Sequence, residues 1–269
     1  MKKYYVLLAA CLFSRLASFE IFSQCPSTEK LGYGDWYIDT DGELVLMQQL
    51  LKPGNVVFDV GGNHGEWSSF ALQAQPNIQL FTFEPVPPVF EILQKTLENY
   101  NQVQLFDCAL SDQIGISEFM YYPEADGLSS FYYREVLRGD HPDPQVIYVQ
   151  QETLDHFCEA HAIQKIDFMK LDTEGSEWRI FKGAENLLKN HQIRAIQFEY
   201  GGCNVDSKTT LKQMIAMLTD NAYVIFRIIP TGLILISKWE DSLENYHLSN
   251  YFAICEEDLS IFSDTDNLR

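Results

Sequence analysis

Segments typical of β-strands alternate with segments typical of α-helices from residue 53 onward, and this alternation constrains the fold more than any other feature. Short apolar runs predict strands at 55–60, 78–84, 103–107, 166–172 and 193–200. Between and after them, amphipathic runs predict helices at 66–75, 89–100, 176–190 and 208–221. Strands that alternate with helices predict a parallel sheet that is covered by helices on both faces.

The C-terminal part of the chain departs from this alternation. The strand-like runs 222–229 and 232–236 are separated by only two residues. Such a connection is too short for a crossover helix and therefore predicts an antiparallel hairpin. A further strand-like run covers 251–256. We therefore expect an α/β fold with a mostly parallel seven-stranded sheet and a C-terminal antiparallel hairpin.

The N-terminal stretch has two interpretations. Its apolar run, 4–13, has about half the ~20 residues that are needed to span a bilayer, and Arg15 interrupts it. An LAAC sequence that ends at Cys11 resembles a lipoprotein cleavage box, so an export signal is one interpretation. Apolar residues at helical spacing favour the other, a helical extension over 1–40 in front of a single domain over 41–269. We expect a cytoplasmic protein with no integral membrane span.

Composition excludes several classes of function. The 269-residue chain has a net charge of −19, and such an acidic surface repels phosphate backbones, so we expect no nucleic-acid partner. The six cysteines form no CxxC pair, which argues against a zinc finger and a disulfide framework. Hydrophobic residues make up 46% of the chain, which is typical of a globular protein and excludes disorder.

A glycine-rich motif, DVGGNHG, ends the first predicted strand at residues 59–65. Ligands of open α/β sheets bind at the carboxyl ends of strands, where glycines allow close approach and the next helix presents its positive end. The acid before the glycines would repel a pyrophosphate but can receive an amino group, which favours S-adenosylmethionine (SAM) over a dinucleotide. A tight turn without a ligand is the alternative. The candidate cofactor-binding residues here are Asp59, Gly61, Gly62, Asn63 and Gly65.

Residues after the next two strands extend the predicted cofactor site. Glu84 ends the second strand, 19 residues after the last glycine of the motif. An acid at that position accepts hydrogen bonds from both ribose hydroxyls. Asp107 and Ala109 follow the third strand, and together with Ser111 and Asp112 we expect them to lie beside the adenine. A turn-forming role is the alternative for Asp107.

A third motif, KLDTEGSEW, spans the end of the fourth strand and the start of the next helix. Its Asp172 and Glu174 lie at the sheet edge where the cofactor should bind, although helix capping, worth ~0.3–1 kcal/mol, is an alternative. His64 and Glu199 belong to the same edge. Because these side chains can accept a proton, the candidate catalytic residues are Asp172, Glu174 and His64. Asp172, Glu174 and Glu199 form an alternative cation site, but we expect no metal.

These segments together resemble a known family. The resemblance is carried, in order, by VVFDVGGNHG (56–65), FTFEPVPPVFEIL (81–93), ALSD (109–112), TLD (153–155), IDFMKLDTEGSEW (166–178) and IQFEY (196–200). They are similar to the FkbM family of methyltransferases over roughly residues 40–200, and KLDTEG is the most diagnostic piece. Gly62 stands where that family often has alanine, which is a small departure.

The resemblance implies a Rossmann-like class I methyltransferase fold and SAM-dependent O-methylation of hydroxyls on polyketides or sugars. We therefore expect SAM as the cofactor and a small-molecule or glycan hydroxyl as the acceptor. Two alternatives remain at this point. One is a Rossmann-like enzyme with a nucleotide cofactor, such as a dehydrogenase or a nucleotide-sugar enzyme, and the other is an exported, non-catalytic binding protein.

A segment rich in proline, glycine and serine, 123–147, separates two strand-like runs at 116–122 and 146–151. Long segments of this kind in compact domains are often functional. We predict an inserted hairpin whose loop forms a mobile lid and sets acceptor specificity. Its aromatic residues, Phe131, Tyr132 and Tyr133, are expected either to stack on the acceptor or to pack the loop onto the core.

Overall fold

The computed structural model of the chain describes residues 20–22, 37–135, 138–139 and 142–262, without the side chains of 20–22 and 261–262. The apolar run 4–13 and most of the predicted helical extension lie outside these residues. The described part of the extension contains a short strand at 20–22, so the division of the chain at residue 40 stays a prediction. No helix in the described part of the chain is both long enough and apolar enough to cross a membrane.

The described residues form twelve strands, which build two sheets. The strands are β1 (Glu20–Phe22), β2 (Val56–Val60), β3 (Gln79–Phe83), β4 (Val103–Phe106), β5 (Cys108–Ser111), β6 (Gly115–Tyr121), β7 (Gln145–Thr153), β8 (Phe168–Leu171), β9 (Ala195–Tyr200), β10 (Tyr223–Ile229), β11 (Gly232–Leu235) and β12 (Ser249–Cys255). The larger sheet has the order β1-β11-β10-β12-β9-β8-β2-β3-β4. Its five strands from β9 to β4 run parallel, which confirms the predicted mostly parallel α/β fold.

The predicted C-terminal hairpin is also confirmed, because β10 and β11 pair antiparallel, with Ile229 opposite Gly232. The sheet has nine strands, whereas the sequence predicts seven. The strand that no sequence pattern predicts is β1, which lies beyond β11 at the edge of the sheet. β1 pairs in parallel with β11 through residues 20–22 and 232–234. This contact joins segments far apart in sequence, and no local pattern indicates it.

The helices cover both faces of this sheet, as predicted. They are α1 (Glu43–Leu50), α2 (Glu66–Ala74), α3 (Pro87–Leu97), α4 (Leu154–Ala160), α5 (Glu177–Lys182), α6 (Glu185–Lys189), α7 (Cys203–Ser207) and α8 (Leu211–Asp220). Successive strand residues point to opposite faces, so Val57 packs with α1 to α3 and Phe58 packs with α4 to α6 and α8. The central strands are therefore mainly apolar, and acidic residues stand at or just after their carboxyl ends.

One predicted helix, over 176–190, is divided into α5 and α6 at Gly183 and Ala184. The cause is a close approach between Gly183 and the second sheet. A Cβ on Gly183 would lie 2.0 Å from the carbonyl oxygen of Ser111. The glycine therefore fixes the distance between the helix pair and β5.

The second sheet confirms the predicted inserted hairpin. β6 and β7 pair antiparallel, and β5 adds to β7 in parallel, which gives the order β5-β7-β6. The segment after β6 turns back toward the main sheet, where Ser130 is fully buried and Arg134 is 5% exposed. The described part of the predicted lid is thus anchored on the core, and its mobility stays a prediction.

Candidate active site

Two adjoining clefts lie at the carboxyl ends of the parallel strands, the edge at which the sequence places the site. The small cleft has an empty volume of about 530 Å³ and is lined by residues that follow β2, β3 and β8 and by residues of β5. The large cleft has an empty volume of about 1550 Å³ and also reaches α1, β9 and β12. Six residues line both clefts and mark the place where they meet: Gly61, Asn63, Asp126, Gly127, Asp172 and Glu174.

The glycine motif forms a tight loop that is held against two strand ends. The N–H groups of Gly61 and Gly62 donate to the carbonyl oxygen of Phe83, at 3.1 and 2.9 Å. Gly61 has a φ of +84°, and a Cβ there would lie 1.8 Å from the carbonyl oxygen of Asp172. Gly65 caps α2 with a φ of +86° but lines neither cleft. Glycine is thus required at position 61 both for its conformation and for its lack of a side chain.

Glu84 is a buried carboxylate on the wall of the small cleft. The N–H of Asn63 donates to its Oε2 at 3.1 Å, and the N–H of Val86 donates to its Oε1 at 2.8 Å. Burial raises the pKa of Glu84 to about 7, although these two hydrogen bonds oppose the rise. Each oxygen keeps a further lone pair for a ligand. The side chain is therefore fixed in orientation and able to accept hydrogen bonds from a pair of hydroxyls.

The predicted adenine residues are separated by the structure. Ala109 lines the small cleft, whereas Asp107 is exposed and lines neither cleft. Asp112 also lies outside the clefts, where Arg179 Nε donates to its Oδ1 at 2.9 Å and Lys182 Nζ donates to its Oδ2. Burial raises the pKa of Asp112, but these two cations outweigh that effect and lower it to about 2. Asp112 thus anchors the second sheet on α5.

Asp59 is fully buried beneath the glycine loop and lines neither cleft. Ser68 Oγ donates to its Oδ2 at 2.6 Å, and the Nζ of Lys170 lies 3.8 Å from its Oδ1. Lys170 also lies 3.1 Å from Oδ2 of Asp172. Burial lowers the pKa of Lys170, but the carboxylates of Asp172 and Asp59 raise it above its ordinary value, so Lys170 stays a cation. Asp59 therefore acts on the site through Lys170, which in turn orients Asp172.

Glu174 is held by the inserted segment. Its backbone has a φ of +53°, an uncommon conformation for a residue other than glycine, which costs about 1–3 kcal/mol. Ser130 Oγ donates to its carbonyl oxygen at 2.7 Å, and Arg134 Nη1 donates to its Oε2. Arg134 also donates through Nε to Oδ2 of Asp206 at 3.1 Å. Burial raises the pKa of Glu174 to about 7, against the opposing charge of Arg134.

His64 lies on the outer part of the large cleft, with its side chain 45% exposed. Its Nε2 lies 2.8 Å from Oδ2 of Asp126, which belongs to the inserted segment. Asp126 and Gly127 line both clefts, and Phe131 lines the small cleft. The insert therefore forms part of the wall of both clefts, whereas the sequence associates it with the acceptor alone.

Further side chains of the large cleft are not among the residues that the motifs indicate. Glu199, at the end of β9, lines it as the sequence predicts, but Cys203 and Glu43 line it as well. One potential ligand atom from each of Glu174, Glu199 and Cys203 lies within 4.8 Å of the other two. The only sequence signal for Cys203 is its place just after a strand that ends in an acid. Glu43 has none, because it reaches the site from α1.

The comparisons with known proteins agree with this geometry. The model of the methyltransferase FkbM domain family matches residues 59–225, which is more than half of the chain. The 31-O-demethyl-FK506 methyltransferase FkbM of Streptomyces tacrolimicus is 30% identical over 199 residues, which cover 65% of this chain and 75% of that protein. The 2-O-methyltransferase NoeI of Sinorhizobium fredii is 28% identical over 172 residues, 58% of this chain and 67% of that protein.

Solved structures with a similar fold include a putative methyltransferase from Streptococcus mutans in complex with SAH. It is 8% identical, with a TM-score of 0.45, over 79% of this chain and 94% of that chain. The fibrillarin of Aeropyrum pernix, with bound S-adenosyl-L-methionine, is 13% identical, with a TM-score of 0.40, over 79% of this chain and 73% of that chain.

Proposed function

The chain belongs to the methyltransferase FkbM domain family, and from this premise we propose that it transfers a methyl group from SAM to a hydroxyl of a small molecule or glycan. The two named relatives support oxygen as the acceptor atom, since one is a 31-O-demethyl-FK506 methyltransferase and the other is a 2-O-methyltransferase. The enzyme is thus a SAM-dependent methyltransferase.

The observation that carries the proposal is the fixed carboxylate of Glu84 in the small cleft. A carboxylate held by two backbone N–H groups is suited to the two ribose hydroxyls of SAM. Ala109 lies on the same cleft, where we place the adenine. The methionine end of SAM then lies toward Gly61 and Asn63, where the small cleft meets the large one. This orientation presents the methyl group to a molecule in the large cleft.

Asp172 and Glu174 stand at that junction and are the groups that we assign to the reacting centre. The acceptor oxygen forms a bond to the methyl carbon while the bond from carbon to sulfur breaks, and the hydroxyl proton passes to a carboxylate. SAM leaves as S-adenosylhomocysteine. Lys170 and Arg134 hold the two carboxylates in place, so alignment of acceptor and donor is the main contribution of the protein.

The test of the cofactor site is the Glu84→Gln variant. The substitution keeps the size of the side chain but removes charge-assisted hydrogen bonds worth about 1.5–3 kcal/mol each. We expect SAM affinity to fall by about 10- to 100-fold in calorimetric titrations. Glu91→Gln, an exposed position on α3, is the matched control and should bind as the parent does. Equal SAM affinity in Glu84→Gln and parent would contradict the ribose assignment.

SAM affinity should also depend on pH through Glu84. Its pKa of about 7 is raised by burial, and the ionised form is the one that accepts both ribose hydrogen bonds. Affinity is therefore fully present above pH 7 and is lost as pH falls through that value, by up to about tenfold per pH unit. Titrations between about pH 5.5 and 8.5 should show this slope in the parent protein and not in Glu84→Gln. The same slope in both proteins would assign it to another group.

The inserted segment should contribute to cofactor binding as well. The Phe131 ring lies 5.0 Å from the ring of Phe119 and 4.4 Å from the guanidinium of Arg179, on the wall of the small cleft. We expect Phe131→Ala to weaken SAM binding by about tenfold through lost apolar contact. Tyr148→Ala, on the exposed face of β7, is the control. If Phe131→Ala binds SAM normally, the insert acts on the acceptor alone.

Nothing in the site favours the two alternatives over methyl transfer. A dinucleotide would bring its pyrophosphate to the loop above the buried Asp59, and a non-catalytic binding protein does not account for the family match. Titration of the protein with SAM and with NAD separates the three functions. SAM binding alone supports the methyltransferase, NAD binding supports the nucleotide enzyme, and binding of neither supports the non-catalytic protein.

A further inference from the structure

Three side chains that are suitable as metal ligands meet on the wall of the large cleft. They come from separate parts of the fold: Glu174 follows β8, Glu199 lies in β9 and Cys203 begins α7. Their ligand atoms lie within 4.8 Å of one another. Ligand atoms around a tetrahedral zinc ion are about 3.3–3.8 Å apart, given bonds of about 2.0–2.3 Å. The distances between the three ligand atoms therefore need to shorten by about 1 Å for all three to bind one ion.

A second observation beside this cluster is the unsatisfied carboxylate of Glu177. This residue is fully buried, and its Oε1 accepts hydrogen bonds from the N–H and the hydroxyl of Thr173, both at 2.9 Å. Its Oε2 is buried without a hydrogen-bond partner among the described residues. Glu177 follows Glu174 by three residues and begins α5. A buried anionic oxygen without a partner is costly unless a cation lies nearby.

The cations already present do not account for the whole cluster. Arg134 pairs with Oε2 of Glu174 and with Asp206, and Lys170 lies between Asp59 and Asp172. The side-chain carboxylate of Glu199, in contrast, has no hydrogen-bond or ion-pair partner within the described ranges, although its backbone belongs to the β9–β12 ladder. The ion pairs of the described residues therefore leave the carboxylate of Glu199 and Oε2 of Glu177 unpaired.

We propose that Glu174, Glu199 and Cys203 bind a divalent transition-metal ion, and that zinc fits this donor set of two carboxylates and a thiolate best. Glu177 supplies further negative charge beside the ion. On binding, the Cys203 thiol releases its proton to solvent and a sulfur–zinc bond forms, without a change of oxidation state. The alternative cation site in the sequence consisted of Asp172, Glu174 and Glu199. In the fold, Lys170 pairs with Asp172, and Cys203 takes its place as the third proposed ligand.

The position of the cluster suggests a use for the ion, which rests on the proposed function. The ligands line the large cleft, next to the junction at which Asp172 lies. A zinc ion with three protein ligands keeps a fourth position, and a bound hydroxyl there loses its proton more readily. Glu174 then serves as a ligand, and Asp172 is the carboxylate that accepts the proton.

The test uses the untagged 269-residue chain, with cobalt as a spectroscopic substitute for zinc. Cobalt bound to Cys203 should give the near-ultraviolet charge-transfer band of a thiolate ligand, and added zinc should remove it. Cys203→Ser should lose the band, whereas Cys158→Ser, a control at another buried cysteine, should keep it. Glu199→Gln should weaken zinc binding by about 10-fold or more. Glu66→Gln, an exposed acid that lines the same cleft, should leave zinc affinity within about twofold.

Each other outcome overturns the site. Absence of zinc and cobalt binding in the parent removes the ion altogether. A thiolate band that survives Cys203→Ser, or zinc affinity that is unchanged in Glu199→Gln, places the ion elsewhere. SAM titrations of the same variants show that they are folded and also keep the two proposals apart. SAM binding without metal binding defeats this inference alone, and metal binding without SAM binding defeats the proposed function alone.

Discussion

Replacing Asp172 by Asn, or Glu174 by Gln, is expected to slow methyl transfer by about 100-fold or more, with less than about a fivefold change in SAM affinity. Both carboxylates stand where the two clefts meet and, unlike Glu84, also line the large cleft. An amide keeps the shape of the side chain but accepts a proton poorly and orients a hydroxyl differently. The measurement is the single-turnover rate with a saturating hydroxyl acceptor, found by screening for release of S-adenosylhomocysteine, together with calorimetric SAM titration.

Glu185→Gln, an exposed position on α6, is the control for the loss of a carboxylate and should turn over at the parent rate. The two active-site variants also separate two roles. Because Asp172 is not a ligand in the proposed metal site, its variant should remain slow at any zinc concentration. Near-normal rates in both variants would remove these residues from the reacting centre and would direct attention to His64.

The sequence predicts the location of the site because the carboxyl ends of buried strands can be recognised in it. The strands β2, β3, β8 and β9 are largely buried, so each is a mainly apolar run, and an acidic residue stands at or just after its carboxyl end. Asp172, Glu84 and Glu199 are found this way. Parallel strands bring those ends to one edge, and the structure confirms that all three line the clefts.

The sequence does not predict which of the acids at the strand ends line a cleft and which lie outside it. Asp59 and Asp107 occupy equivalent positions in the sequence pattern, yet one is fully buried under the loop and the other is exposed. Which neighbour covers a carboxylate depends on side chains far away in sequence. Lys170, for example, reaches Asp59 across two paired strands.

The side chains that the motifs do not indicate were missed for the same reason, because their contacts join segments that are far apart in sequence. Arg134 pairs with Glu174 from a segment 40 residues earlier in the chain. Glu43 enters the large cleft from α1, where Gln197 and Asn250 donate to its carboxylate. No local periodicity encodes such contacts, because they exist only after the insert and the C-terminal strands have packed. The proposed metal site could not be predicted for the same reason, since its three ligands come from separate elements of the fold.

Gly61→Ala is expected to destabilise the protein by more than about 3 kcal/mol and to abolish SAM binding. The added Cβ would lie 1.8 Å from the carbonyl oxygen of Asp172, a backbone atom that cannot rotate away. The N–H of Asp172 is also bonded to the carbonyl oxygen of Val60, at 3.0 Å. Relief of the collision therefore separates β2 from β8 at the junction of the clefts. The measurement is the free energy of unfolding in urea, with SAM titration of any folded variant.

Gly54→Ala is a matched control for this substitution, because Gly54 has the same φ of +84° but nothing within 4 Å of the position of a Cβ. It carries the cost of a left-handed conformation alone, about 1–2 kcal/mol. The difference between the two variants therefore measures the collision with Asp172 and separates it from backbone strain. Equal destabilisation in both would mean that the strand ends yield to a methyl group at little cost. In that case, the contact between Gly61 and Asp172 does not determine the distance between the glycine loop and the end of β8.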